Sequence, residues 1–361
     1  MKTNGLVLLA MLALTACHQR VAIVKPMSMF IAESHQQLET DLPETAIVQE
    51  QFDSAADFSD GLALVHVHGQ YVYIDRTRKI VVKPQLDALY GVSSFSEGLA
   101  LIQVNDLYGY IDITGKIIIA PQFSSASHFS EGLALVRVNN KHGYIDKTGN
   151  YAIALQFDSA SSFSQGLAAV RINDRYGYIN KTAKVVIEPQ FKDAAEFSEG
   201  LAQVRVGDKW GYIDRTGTLV INPQFDGAFS VSEGAARVRL GDKWSYINQQ
   251  GEYIGDRKFD WASDFSDGLA LVQIASQWGY IDQIGQIVIQ PQFSFASDFS
   301  EGLATVRIGN KYGYIDKMGK VVINPQFDEA GLFSEGLARV RLDDKWRYID
   351  AKGEFLQGKE R

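Results

Sequence analysis

The sequence predicts an all-β protein: a tandem array of nine units of about 34 residues, each a three-stranded antiparallel meander. Three observations carry this expectation. The Gly of a recurrent Glu-Gly-Leu-Ala returns at 61, 98, 132, 166, 200, 234, 268, 302 and 336, one step of 37 residues and seven of 34. A fixed period of that size marks an array whose units bury their apolar faces against their neighbours. Inside a unit the apolar period is two, as in Ala202-Gln203-Val204-Arg205-Val206, where Ala and Val point one way and Gln and Arg the other. Turn residues then punctuate the chain at hairpin spacing.

The unit beginning at Gln190-Phe191 gives the elements in order. Ala202–Val206 reads as a first strand, and Gly207-Asp208-Lys209 turns the chain into Trp210-Gly211-Tyr212-Ile213-Asp214. Asp214-Arg215-Thr216-Gly217 is a hairpin connection, with an Asp able to bond its own backbone and a Gly suited to positive φ. Leu219-Val220-Ile221 forms a third strand that Pro223 is expected to stop. The stretch from Gln224-Phe225 to Glu233-Gly234 crosses to the next meander, as a short fourth strand or a helical turn.

Three aromatic columns run through the array. Tyr recurs at 73, 110, 144, 178, 212, 246, 280, 314 and 348, and one Phe precedes Ser-Glu-Gly in every unit but the sixth, where Val231 takes the slot and Phe229 stands two residues earlier, on what would be the same side. A second Phe recurs in every unit but one, where Leu86 stands, and it follows a Gln except at Phe259, which follows Lys258. Such ladders suit a stacking platform for bases or sugars. A chain with one cysteine has no disulfide framework, however, and needs large apolar groups at every interface. The expectation is an inter-repeat core.

The first residues carry an address. Lys2 is followed by the apolar run Leu6–Leu14 and then Leu14-Thr15-Ala16-Cys17, too short to span a bilayer but suited to a secretory signal. The small-residue step before Cys17 resembles a bacterial lipobox, which implies cleavage at residue 16, lipidation of Cys17 and membrane anchoring through acyl chains. His18 in place of Asp resembles lipoproteins sorted to the outer membrane of a Gram-negative cell. The expected organisation is a signal peptide at 1–16, a lipid-anchored linker at 17–49, nine repeats over 50–356 and a tail at 357–361.

Trp210-Gly211-Tyr212-Ile213-Asp214 with Thr216-Gly217 and Pro223-Gln224-Phe225 resembles the bacterial WG (KWG) repeat, and Lys209 and Lys243 supply its leading Lys. The resemblance covers residues 51 to about 356. Tyr71, Tyr108, Tyr176, Tyr312 and His142 replace the Trp, and Val72, Ser245 and Arg347 replace the following Gly. It implies an extracytoplasmic repeat scaffold and delivers no activity.

Nine units of 34 residues are too many and too short for a propeller of four to eight blades of 40–45 residues. The expected architecture is therefore an open, superhelical, solenoid-like array, with a closed propeller-like ring as the alternative. The 37-residue step places three extra residues around Leu89-Tyr90-Gly91, expected to bulge from one side. The charged last unit, with Asp343-Asp344-Lys345 and Arg347, reads as a terminal cap.

No nucleophile elbow, Walker loop, dinucleotide fingerprint or zinc signature occurs, so neither an enzyme nor a cofactor is expected. His66 and His68 share a strand face without a third ligand. The repeated Glu and Asp suggest calcium at first sight, but they occupy turn positions where a carboxylate ordinarily bonds backbone N–H. Net charge is −8, which argues against nucleic acid as a partner. One polar column stands out: Arg137, Arg171, Arg205, Arg239, Arg307 and Arg341, with His66, Gln103 and Gln273 in the other units. Its arginines suit bidentate contact with carboxylate or phosphate groups, or pair with neighbouring acidic columns. The expected function is a membrane-anchored envelope scaffold binding an unidentified protein. The alternative is an anionic glycan or lipopolysaccharide held by the Arg column, and an enzyme of unknown type is the third reading.

Overall fold

A computed structural model describes residues 47–48, 51–84 and 89–357. The expected signal peptide, Cys17 and nearly all of the linker lie outside these residues, as does Leu86. The remainder is a nine-bladed β-propeller: nine small antiparallel sheets arranged in a ring, each with its strands in sequence order. Blade 5 shows the pattern, with Asp193–Ala194, Leu201–Val206, Lys209–Asp214 and Leu219–Phe225 as its first to fourth strands. Among the described residues no helix is long and apolar enough to cross a membrane.

Two expectations are corrected by this arrangement. The blade has four strands, because the crossing segment pairs briefly with the strand that follows it: Gly227 opposite Arg239 and Ala228 opposite Val238 in blade 6. Pro223 does not end its strand either. Pairing jumps from Tyr212–Ile221 to Trp210–Phe225, and Pro223 sits in that irregularity, where no ladder hydrogen bond is asked of it. The three extra residues at Leu89–Gly91 lengthen the first strand of blade 2 to Leu89–Val92, with a register shift between Leu89 and Gly91.

The second correction is closure: the array is not an open solenoid. Ser198 Oγ donates to the carbonyl of Val231 in the next blade (2.7 Å) and Glu199 Oε2 accepts from Gly234 N (2.9 Å). The same pair of contacts joins blade 9 back to blade 1, where Ser334 Oγ donates to Phe58 O (2.8 Å) and Glu335 accepts from Gly61 N (3.2 Å). Phe52 and Trp346 exchange both backbone hydrogen bonds (3.0 and 2.9 Å), so the segment just before blade 1 completes the outer edge of the last blade. A head-to-tail interface repeated without change rotates each unit by a constant angle, and it closes if that angle divides a full turn. The last unit is therefore no cap. Its charges pair across the seam or at home: Lys345 with Asp53, and Arg341 with Glu329 and Asp344.

The aromatic columns build the interfaces between blades. Tyr212 and Phe225 of blade 5 pack with Val231, Ala236, Val238 and Ile247 of blade 6. The Tyr212 hydroxyl crosses the same boundary to donate to Phe229 O (2.8 Å), and burial pushes the phenol's pKa well up. Tyr178 meets Phe197 of the following blade at 4.8 Å between centroids, tilted by 59°. In blade 6 Val231 does fill the Phe slot of the core, but Phe229 does not join it there. Its ring lies 5.3 Å from that of Trp244 instead.

The Gly after the Trp has a plain cause. A Cβ on Gly211 would lie 2.4 Å from Ile221 O and 2.7 Å from Pro223 N, inside the backbone of the fourth strand. The three units without this Gly are those whose fourth strand departs. Beside Val72 it is cut to Ile80–Val82, and beside Ser245 the pairing changes to Tyr246–Ile254. Beside Arg347 the described residues form two isolated bridges in place of a strand, Ile349–Phe355 and Phe52–Trp346.

Candidate binding rim

The strand alternation that buries Val204 sends its neighbour Arg205 to the other side of blade 5, two residues before the Gly207-Asp208 turn. The Arg column therefore circles the face that carries the hairpins between second and third strands. Each Arg stands opposite the residue of the Trp column: Arg137 opposite His142, Arg171 opposite Tyr176, Arg205 opposite Trp210, Arg239 opposite Trp244, Arg307 opposite Tyr312 and Arg341 opposite Trp346. Directly opposed residues project from the same face of a sheet, so the rim repeats a guanidinium beside a ring. All six arginines are half-buried.

Their partners differ. Arg341 is held by Glu329 and Asp344, and Arg205 approaches Asp208 at 3.7 Å. Arg307 Nε donates only to the Ser294 hydroxyl (3.2 Å), and Arg137, Arg171 and Arg239 form no salt bridge among the described residues. The nearby aspartates take their hydrogen bonds from other groups, although Asp226 and Asp158 still feel the charges of Arg239 and Arg171. Asp226 takes Lys209 Nζ on one oxygen (2.6 Å) and Gly241 N on the other (2.8 Å), and the Lys209 hydrogen bond holds its carboxyl below the usual range. The same Lys–Asp clamp recurs at Lys141–Asp158, Lys243–Asp260 and Lys311–Asp328.

The opposite face is self-satisfied. The Asp column bonds its own turn, with Asp214 Oδ1 accepting from Thr216 N (2.9 Å) and Thr218 N (3.0 Å). The Glu column reaches the next blade's Gly amide rather than its local turn, as Glu199 does. Lys147 and Lys181 bind Glu97 and Glu131 at 3.1 and 3.0 Å. Among the described residues no group of three His, Cys, Asp or Glu is arranged to hold a metal ion. His66 Nδ1 faces Asp53 at 3.5 Å.

One sector of the rim departs from ninefold repetition. The first-strand residue opposite the Arg column is Ser54, Gly91, Ser125, Ser159, Asp193 or Glu329 in six blades. In blade 7 it is Trp261, opposite Gln273, and its ring stands 5.1 Å from that of Trp278. In blade 8 the backbone of Arg307 bonds Phe295, whose ring is 5.4 Å from Tyr312. In blade 6 the position is Gly227, but the displaced Phe229 folds back over it, 3.8 Å from where a Cβ would be. Arg237 joins two of these pairs. Asp264 Oδ1 (2.8 Å) and Ala262 O (2.7 Å) hold its guanidinium, which lies 4.0 Å from the Phe229 ring centre, 5.4 Å from Trp244 and 5.7 Å from Trp261. Trp261 and Phe295 remain 37% and 39% exposed. The signal was present in the sequence as Asp260-Trp261-Ala262 and Ser294-Phe295-Ala296, where other units place a small or acidic residue, as in Asp158-Ser159-Ala160.

Fold and rim together define a nine-bladed propeller made of one tandem repeat, with a cationic–aromatic face. The family model for the WG containing repeat matches residues 73–108, 108–141, 143–176, 176–210, 210–244, 244–276, 278–312 and 312–346. The chain belongs to that family. A comparison with curated protein sequences finds no match. Among solved structures, a eukaryotic initiation factor is similar at 12% identity and a TM-score of 0.60, covering 80% of this chain and 90% of that one. BamB from Moraxella catarrhalis is similar at 13% identity and a TM-score of 0.41, over 79% of this chain and 94% of that one. The dihydro-heme d1 dehydrogenase NirN is similar at 12% identity and a TM-score of 0.42, over 80% and 82%. At 12% identity the likeness to the initiation factor shows the fold alone. The expectation of a non-enzyme is withdrawn, because a propeller fold decides neither for nor against catalysis.

Proposed function

We propose that the protein is an extracytoplasmic ring, lipid-anchored through Cys17, that binds an anionic glycan of the cell envelope through its Arg column. The observation that carries this reading is the unequal partnering of that column. Arg137, Arg171, Arg239 and Arg307 stand half-buried beside rings on one face, with no carboxylate of the described residues in a salt bridge to them, while neighbouring aspartates are committed to lysines. A guanidinium takes carboxylate or phosphate through two parallel hydrogen bonds, and an adjacent ring supports a sugar's apolar face.

The test replaces these four arginines with Gln, which keeps a polar stem and removes the charge. The expected result is an unchanged melting curve with loss of binding to purified envelope glycan, and loss of the salt dependence that screened attraction imposes. Binding that survives the four substitutions with its salt dependence intact would overturn the reading, and a protein partner indifferent to them would restore the scaffold alternative. Cys17→Ser should release the protein from the membrane fraction or leave an uncleaved precursor. Unchanged fractionation would reject the anchor.

A further inference from the structure

The aromatic sector of blades 6–8 adds a second chemistry to the rim. Around most of the ring the first-strand position beside the Arg column is small or acidic, so a guanidinium there is flanked by one ring at most. In blades 7 and 8 that position holds Trp261 and Phe295, each more than a third exposed and each set edge-on against a second ring of its own blade. Blade 6 reaches the same result by another route, through Phe229 over Gly227. Independent residues thus build one surface feature in three successive blades.

The sector is also preorganised. Arg237 is spent on Asp264 and the Ala262 carbonyl, and its guanidinium ties the rings of blade 6 to Trp261 of blade 7. It is a strut, not a ligand group. The groups left for a ligand are Arg239, Gln273 and Arg307, one per blade, each lying between rings of its own blade. The alternation of flat apolar surface with long polar side chains matches a chain of pyranose rings, whose faces are apolar C–H and whose edges are hydroxyl. The two cationic ends match carboxylates on that chain. A peptide of ordinary composition has no reason to need aromatic faces at a fixed pitch with a guanidinium or amide beside each.

From this juxtaposition we propose that blades 6–8 form the docking platform for an acidic polysaccharide. Its sugar rings stack on Trp261 and Phe295, and Arg239 and Arg307 take its uronate carboxylates. This rests on the reading of the Arg column as a glycan site and narrows it to one sector, in which the remaining arginines contribute only long-range attraction.

Three of the chain's five tryptophans, Trp244, Trp261 and Trp278, lie in the sector, so intrinsic fluorescence reports on it directly. The full-length protein is titrated with a galacturonate oligomer and with a neutral malto-oligosaccharide of the same length. The acidic oligomer is expected to change the emission and the neutral one to bind at least about tenfold more weakly. Trp261→Ala and Phe295→Ala should each weaken the acidic oligomer about tenfold, the factor that ~1.4 kcal/mol makes. The pair Arg239→Gln and Arg307→Gln should remove the preference for the acidic oligomer, and Arg137→Gln with Arg171→Gln should leave it. Calorimetry on the same variants supplies binding where emission is lost with Trp261. If Arg137 and Arg171 carry the affinity and Trp261 and Phe295 do not, the platform falls while the Arg-column reading stands. If the two oligomers bind alike and only the aromatic substitutions matter, the acidic assignment falls. Absence of any response from the unaltered protein overturns the platform for uronate chains and leaves phosphate-bearing glycans to the Arg-column test.

Discussion

Gly211→Ala is the sharpest test of how a blade is assembled, because it adds one methyl group to a strand directly against the backbone of its neighbour. The added Cβ would sit 2.4 Å from Ile221 O, 2.7 Å from Pro223 N and 2.9 Å from the Asn222 carbonyl carbon. None of these atoms ends a flexible side chain, so the fourth strand itself must shift. Overpacking a filled site costs about 1–3 kcal/mol. The shift also disturbs the pairing of Tyr212 with Ile221 and of Trp210 with Phe225, where each hydrogen bond lost adds about 1 kcal/mol. The expected loss is about 2–4 kcal/mol, read as a lower urea midpoint at unchanged slope. Ser245→Ala supplies the control. Blade 6 already accommodates a Cβ at the equivalent position through its altered Tyr246–Ile254 pairing, so the change should stay within about 1 kcal/mol. A Gly211→Ala protein as stable as the parent would refute the claim that close backbone approach explains the Gly of the motif.

Two further outcomes follow from local geometry. Ala183 adopts a φ of 62° where its counterpart Gly217 stands at 87°, so Ala183→Gly should stabilise by up to about 1 kcal/mol. Gly217→Ala should cost about 1–2 kcal/mol and more if Ile187 Cγ2, 2.9 Å from the new Cβ, fails to give way. Equal melting temperatures across that pair would reject the turn assignment. The turn aspartates set an acid limb: the Thr hydroxyl hydrogen bonds foremost hold Asp112, Asp146 and Asp214 below their ordinary values. A depressed folded value means stability that is complete above the unfolded value near ~3.9 and is lost as pH falls through the folded one. Asn180 makes the same turn bonds, accepting from Thr182 N and Lys184 N at 3.0 Å. Replacing all three aspartates by Asn should therefore flatten the decline below about pH 4 in an acid titration followed by circular dichroism, leaving neutral stability nearly unchanged. An unaltered acid limb would place the sensitivity elsewhere, with the Lys-paired aspartates of the rim as the next group.

The sequence alone determined the repeat, its strand alternation, the hairpin at Asp214–Gly217 and the burial of the Tyr and Phe columns. Each of these is set by residues a few positions apart, through side-chain period, turn chemistry and the need to cover apolar rings. It also marked Val72, Ser245 and Arg347 as departures, although their meaning lay in a fourth strand that only the fold shows. The two-residue first strand was open in the sequence only as one option beside a helical turn, because a run that short has no period to decide between them. Phe229 was misplaced because its backbone spacing allowed the core, whereas the open space over Gly227 drew it to the rim. Closure was decided wholly by tertiary structure. An array and a ring share one repeat and one interface. They differ only in the rotation that packing imposes between units, and that angle is fixed jointly by contacts such as Tyr212 on Phe229 O and Ser198 on Val231 O, never by a local pattern. The same holds for the arginines. Their column was legible at equal pitch, but which of them a carboxylate already holds depended on strands and turns brought together only when the ring formed.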